Sequence, residues 1–390
     1  MLLSSILHIK SSLIWKGILL FSFLVLTSHV FPQDYNFRNF NSAEGLAHSY
    51  VYCINQDSNG YLWIGTGNGL SRYNGFVFEN YTTTDSLADN FGSCGISDGE
   101  YMWFGHMNGS VSFFDGRKLH SVNMPQPDLS PITHFAKSPD GQIWASTYSD
   151  GLLKLDKTTG VTKRNLFKDQ VFIISFDFLN ENELLVGTNT GLLYSRLKES
   201  GEIEIIRTFT EIPESKVMCI QKMRNKSGFY IATENDGIFQ ITNDKTLFKV
   251  SKIIADPGFK LTGIQNICED SQSNLWLGSF GYGLIKMINS STGEFIKSNH
   301  FNKTNGFASV NVKTVFEDRE GNIWSGNYGE GLTKITSKVF SVFTYDKTLN
   351  GNNIFSIYFN QQYRWIGTEN GLIKMDQVTG KIIRFYGKGS

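Results

Sequence analysis

Several groups of residues in this sequence could do chemistry, and spacing is the first test of each. The run LWIGTGNGL, Leu62 to Leu70, has the glycines of a loop that cradles phosphate on backbone amides. No Gly-Lys-Ser/Thr follows it, and no helical period follows either. His48, His106, His120, His134 and His300 are scattered, without the His-Glu-x-x-His spacing of a zinc protease. Cys53, Cys94, Cys219 and Cys268 form no Cys-x-x-Cys pair, so neither a zinc site nor a redox site is indicated. Asp57, Asp140 and Asp318 sit in turns, where turn chemistry explains them. Glu234-Asn235-Asp236 reads either as a solvated loop or as a small calcium-liking cluster. Asp150, Glu330 and Glu369 would serve a glycosidase only if the fold set two of them across a cleft. There is no Gly-x-Ser-x-Gly and no kinase nucleotide motif. The expectation is a chain with no catalytic residues, no metal and no cofactor.

The glycine-rich run acquires a different meaning once it is found again. MWFGHMNGS, IWASTYSDGL, LLVGTNTGL, FYIATENDGI, LWLGSFGYGL, IWSGNYGEGL and RWIGTENGL repeat its pattern along the chain. The small residue falls at Gly65, Gly105, Ala145, Gly187, Ala232, Gly278, Gly326 and Gly367, in steps of 40, 40, 42, 45, 46, 48 and 41 residues. Trp63, Trp103, Trp276, Trp324 and Trp365 stand two places earlier and Trp144 one place earlier, with Leu185 and Tyr230 in the remaining copies. The first unit reads as four short strands, near Tyr50–Ile54, Tyr61–Thr66, Leu70–Tyr73 and Phe76–Tyr81, broken by DSNG, GNG and NG turns. Four antiparallel strands per 40 to 48 residues predict an all-β propeller of eight repeats. The tryptophans should fill the space between blades, Gly65 should permit close backbone approach, and Gly69 should hold a conformation that a side chain opposes.

Lys plus Arg and Asp plus Glu are 36 each, which argues against a nucleic-acid surface and against an anionic-membrane patch. Lys10 and Lys16 precede the short apolar run Gly17–Leu26, with small residues after it. Residues 1–33 thus read as a secretory signal, or else an uncleaved anchor, and residues 34–390 as the propeller. Export would permit a Cys53–Cys94 bridge between adjacent blades, and the plainer reading is buried free thiols. Ligand contacts are expected on the face carrying the tips between second and third strands and the loops between blades. The candidates are His48, Asn68, Asn90, His106, Tyr148, Asp150, Asn235, Phe280, Tyr282, Tyr328, Glu330 and Asn370. Such a polar and aromatic set suits sugars or peptides.

SAEGLAHSYVYCINQDSNGYLWIGTGNGLSRYNGFVFENY, Ser42 to Tyr81, resembles the opening of the two-component regulator propeller, and EDREGNIWSGNYGEGLTKI, Glu317 to Ile335, is similar to its later repeats. That domain is the periplasmic sensor region of hybrid two-component systems and related membrane histidine kinases. The resemblance implies a periplasmic or secreted sensor for carbohydrate-derived ligands, partnered by a histidine kinase, and it implies no catalytic residues. Family members continue into further modules, whereas this chain stops at Ser390, so it reads as a truncated sensor, a fragment or a stand-alone propeller. Family first propellers usually hold seven blades. Here Tyr35–Phe40 and Lys381–Tyr386 both look like a closing fourth strand, and a ring of eight blades is favoured slightly over seven plus one extra repeat. A secreted lyase or glycosidase and a protein-interaction scaffold are the competing readings.

Overall fold

The computed structural model describes residues 35–124, 129–244, 247–254, 261–290, 294–337, 353–360, 362–376 and 382–387. The segment 1–33, expected to be a secretory signal, lies outside the described residues. The first blade shows how the repeat folds. Strands β2 (Val51–Gln56), β3 (Leu62–Thr66), β4 (Gly69–Tyr73) and β5 (Phe78–Tyr81) form one antiparallel sheet in that order. Asp57 makes the first turn, its Oδ1 accepting the amides of Asn59 and Tyr61 at 3.0 Å each. Its Oδ2 accepts the Trp63 indole N–H at 2.9 Å, a bond repeated by Asp270 to Trp276 and Asp318 to Trp324. These aspartates therefore do more than shape turns: each satisfies the polar edge of a buried ring. Arg72, across the ladder from Trp63, stacks its guanidinium over that indole, and Lys154, Lys286 and Lys334 do the same in their blades.

The central β3 is buried throughout because both faces of the blade are covered. Trp63 meets Phe104 and Phe114 of the next blade at 5.2 and 4.8 Å, so the core lies between blades, as expected. A Cβ at Gly65 would stand 2.5 Å from Cys53 Sγ and 2.8 Å from the Gly92 carbonyl, which is the close approach the small residue permits. Gly69 has φ +102° and a Cβ there would meet the Tyr81 carbonyl at 2.6 Å. Three single-turn 3-10 helices, Ser42–Glu44, Thr83–Asp85 and Lys303–Asn305, begin crossings from an outer strand to the next inner one. Each starts in a capping box, at Asn41, Thr82 or Asn302, and each is followed by a buried anchor, Leu46, Leu87 or Phe307.

The favoured ring of eight blades is corrected. Among the described residues of the unit ending at Ser337, five four-stranded sheets and one eight-stranded sheet of two blades make seven blades in succession, and β2 packs on both Gly92–Asp98 and Val312–Glu317. The seventh blade borrows its outer strand from the N-terminus: β1 (Tyr35–Phe40) pairs antiparallel with Gly331–Ser337, Phe40 opposite Leu332. The Phe40 ring stacks on Trp324 and the Asn39 carboxamide accepts from Thr333, contacts that fill the slot for which Lys381–Tyr386 also competed. The eighth repeat, Ile354–Gly387, is a four-stranded sheet of its own in the unit Lys338–Ser390. Blades three and four also join at their outer edges, where Leu166 and Phe167 pair in parallel with Glu202 and Ile203.

The structure holds Cys53, Cys94, Cys219 and Cys268 as free thiols, the plainer of the two readings. Burial pushes the Cys53 and Cys268 thiols up to about 12, so they are inert packing groups at neutral pH. Among the described residues no helix is long and apolar enough to cross a membrane, and no group of three His, Cys, Asp or Glu could hold a metal.

Candidate functional site

The innermost strands of the seven blades surround a channel of about 800 Å³. Every one of them breaks its ladder in the same place. The register of β2 with β3 jumps from Val51 to Cys53, and equivalent jumps occur at Gly92/Cys94, Ile132/His134, Ile173/Ser175, Val217/Cys219, Ile264/Asn266 and Val312/Thr314. A bulge takes one residue out of pairing and re-aims its side chain. The residues so released are Tyr52, Ser93, Thr133, Ile174, Met218, Gln265 and Lys313, and all seven line the channel. Each blade thus contributes one freely variable side chain to a common collar, on a backbone the repeat holds constant.

The collar has two unlike sides. On blades one to three it is aromatic: Tyr52 lies 4.4 Å from Phe91, and Tyr148 stacks near Phe172 at 5.0 Å. Above Tyr52, Tyr328 meets Tyr50 at 4.6 Å and Phe280 at 5.6 Å, while His48 stacks on Tyr50 at 5.3 Å. Burial and the neighbouring Tyr328 hydroxyl push the Tyr52 phenol up, so it stays a neutral donor. On blades five to seven the wall is polar and cationic, with Lys216, Gln265 and Lys313; the Lys313 ammonium donates to Gln265 Oε1 at 3.3 Å. The far end of the channel is closed by bonds from blade to blade. The Arg224 amide donates to Glu269 at 2.8 Å, its guanidinium pairs with Glu317 at 2.9 Å, and Glu317 also accepts from Ser271.

Of the residues expected at the site, Tyr328, Phe280 and His48 meet in the aromatic cluster, and Tyr148 lines the channel. His106 does not belong there. It is fully buried, with Nδ1 on the Phe91 carbonyl and Nε2 on the Ser112 hydroxyl, and burial pushes its imidazole down to about 4. It is a neutral core residue, whereas Asn90 is half-buried and its carboxamide oxygen accepts the Thr83 amide at 2.8 Å. Asp150 is tied to the Ser130 amide at 2.7 Å and to Arg164 at 3.2 Å; burial pushes its carboxyl up, but these partners hold it below the usual range. Glu330 pairs with Lys303 at 2.9 Å. Asn68, Asn235 and Tyr282 remain at hairpin tips, and Asn370 lies on the separate eighth repeat. Asp150 and Glu330 are thus held on different blades by their own partners, and Glu369 belongs to the other unit.

Sequence reasoning missed Tyr50, Tyr52, Phe91 and the rest of the collar. A signal for them existed: 10 to 12 residues before each tryptophan position stands a residue that varies freely beside conserved-size neighbours, as in Val51-Tyr52-Cys53 and Val312-Lys313-Thr314.

Comparison with known proteins agrees with this architecture. Residues 45–68 and 258–281 match the family described as Two component regulator propeller. A stretch of 65 residues is 37% identical to Histidine kinase P4 of Formosa agariphila, covering 17% of this chain and 5% of that kinase. The fold is similar to extracellular domains of two putative hybrid two-component systems of B. thetaiotaomicron. One is 21% identical with a TM-score of 0.59 over 91% of this chain and 50% of that one. The other is 20% identical with a TM-score of 0.59, over 92% and 48%. Virginiamycin B lyase of Staphylococcus aureus shares the fold at 17% identity and a TM-score of 0.61, over 77% of this chain and 99% of the lyase. The chain spans about half the length of the two-component extracellular domains it resembles. Its sheets and its matches lead to one assignment: the chain is a β-propeller, two stretches of which match the two-component regulator propeller family.

Proposed function

We propose that this propeller is an extracytoplasmic ligand-binding module of two-component signalling, and that it takes a carbohydrate-derived ligand at the channel mouth. The observation that carries the reading is the collar: seven bulged positions aim variable side chains into one cavity, beside a wall of tyrosine and phenylalanine. Sugar rings stack on such faces, and Ser93, Thr133 and Gln265 can exchange hydrogen bonds with hydroxyls. A cavity of about 800 Å³ has room for a ligand of two or three sugar units. No bond-breaking step is assigned, because Asp150 and Glu330 are each engaged away from a shared pocket. The partner to which binding would be reported is a membrane histidine kinase.

Calorimetric titration of the exported protein against a panel of oligosaccharides tests the reading. At least one glycan should bind, and Tyr52→Ala should weaken it by about tenfold, the loss of one stacking face. A panel without a binder would remove the sugar assignment. A binder indifferent to Tyr52→Ala would place the ligand elsewhere.

A further inference from the structure

Among the described residues the cationic side of the channel has no carboxylate in direct contact. Lys313 is the bulged residue of blade seven and reaches only the Gln265 carboxamide. Lys216 stands just before the inner strand of blade five, Val217–Lys222, and lines the same cavity. Among the described residues neither lysine has a carboxylate within ion-pair distance, although ion pairs are found on most of the other blades. The charged neighbours acting on Lys313 are Lys216, which repels it, and Glu234, the lone carboxylate, which attracts it from outside contact range. Arg224, at the opposite end, shows the contrast: it is paired with Glu317.

Two ammonium groups held in one partly desolvated cavity raise each other's energy, and a bound anion relieves both the repulsion and the desolvation. Burial, reinforced by Lys216, pushes the Lys313 ammonium below the ordinary lysine range, as expected of a cation waiting for a partner. We infer that the channel seats a ligand carrying an anionic group, a carboxylate or a sulfate, against Lys313 and Lys216, with the body of the ligand on Tyr52 and Phe91. The inference rests on the ligand-binding reading above and names the class of ligand: an acidic sugar rather than a neutral one.

The test titrates three probes into the whole chain: a glucuronate-containing disaccharide, its neutral glucose counterpart, and sodium sulfate. The wild type should prefer the acidic disaccharide by about tenfold or more, the worth of a charged hydrogen bond. Lys313→Met and Lys216→Met should each erase most of that preference, lowering acidic-sugar affinity far more than neutral-sugar affinity. The unliganded Lys313→Met protein should melt no lower than wild type, because it loses an unpaired buried charge. Equal binding of acidic and neutral sugars overturns the anionic seat and leaves the sugar reading standing. Sulfate binding that depends on Lys313, with no sugar bound, supports the seat and removes the sugar. Binding of no probe overturns both, and a preference that survives both substitutions overturns the seat alone.

Discussion

The first blade and the eighth repeat are nearly the same object locally and differ in how far their side chains are buried. Both break register at the second residue of the first strand, at Val51/Cys53 and Ile354/Ser356. In both, a threonine hydroxyl closes the second hairpin on the following glycine carbonyl, Thr66 to Gly69 at 2.7 Å and Thr368 to Gly371 at 3.0 Å. In both, a cation stands over the tryptophan at 5.3 Å, Arg72 over Trp63 and Lys374 over Trp365. Yet Leu70 is 0% exposed and Leu372 is 38% exposed, and the released residue of the eighth repeat, Phe355, is 74% exposed. The repeat therefore encodes its own hairpins, bulge and ring stacking, while within the ring burial is conferred by the next blade, as Phe104 and Phe114 cover Trp63. This is the behaviour of a quasi-one-dimensional array, in which interface terms dominate stability.

Substitutions at matched positions can break that comparison. Trp63→Ala should cost about 3–5 kcal/mol and Trp365→Ala less than half of that. Denaturant midpoints measured for both variants would decide, and equal costs would mean that blade neighbours add little. Asp57→Ala comes next, at about 2–3 kcal/mol, because the indole N–H of Trp63 and two turn amides lose a charged acceptor. Near-neutral behaviour in a thermal melt would show that water replaces the carboxylate.

Acid should act on the ring rather than on the eighth repeat. His106 and His134 are both pushed down to about 4 by burial, against about 6.5 when unfolded. Between those values the unfolded chain binds protons that the folded ring refuses, so stability falls as pH drops from about 6.5 toward about 4. His106 should account for on the order of 2 kcal/mol of that loss. His106→Gln should flatten the slope in a series of melts across that range, and an unchanged slope would relieve His106 of the role. The smallest effect is expected for Leu372→Ala, below about 1 kcal/mol, against about 2–4 kcal/mol for Leu70→Ala.

Much of the architecture was legible because it is local. Turn residues, the tryptophan positions and the paired glycines recur in the sequence, and their roles at Gly65 and Gly69 are those expected. Ring closure was not legible. Tyr35–Phe40 and Ile382–Tyr386 have the same strand-like character, and the choice between them rests on Phe40 finding Trp324 and Asn39 finding Thr333. Such matches join distant segments and leave no period to read. The candidate site was half legible. Hairpin tips supplied Tyr148, Phe280 and Tyr328, but the collar hides inside ordinary-looking strands, where a one-residue bulge decides which side chain leaves the sheet. His106 was misplaced because a polar residue at a strand end looks exposed until Ser112 and the Phe91 carbonyl are brought to it.

The borrowed outer strand also has a consequence in time. Tyr35–Phe40 is made early in synthesis, but its partner Gly331–Ser337 comes nearly 300 residues later, the Asn39–Thr333 bond joining positions 294 apart. The entropy of closing so long a loop grows only logarithmically, so the equilibrium cost is modest. The kinetic cost is another matter, since non-local pairing comes late in folding. Until the last blade exists, the early strand and the edge awaiting it are both unpaired, and an unpaired edge can recruit the wrong strand from another chain. The ring is thus most vulnerable to misassembly just before it is complete.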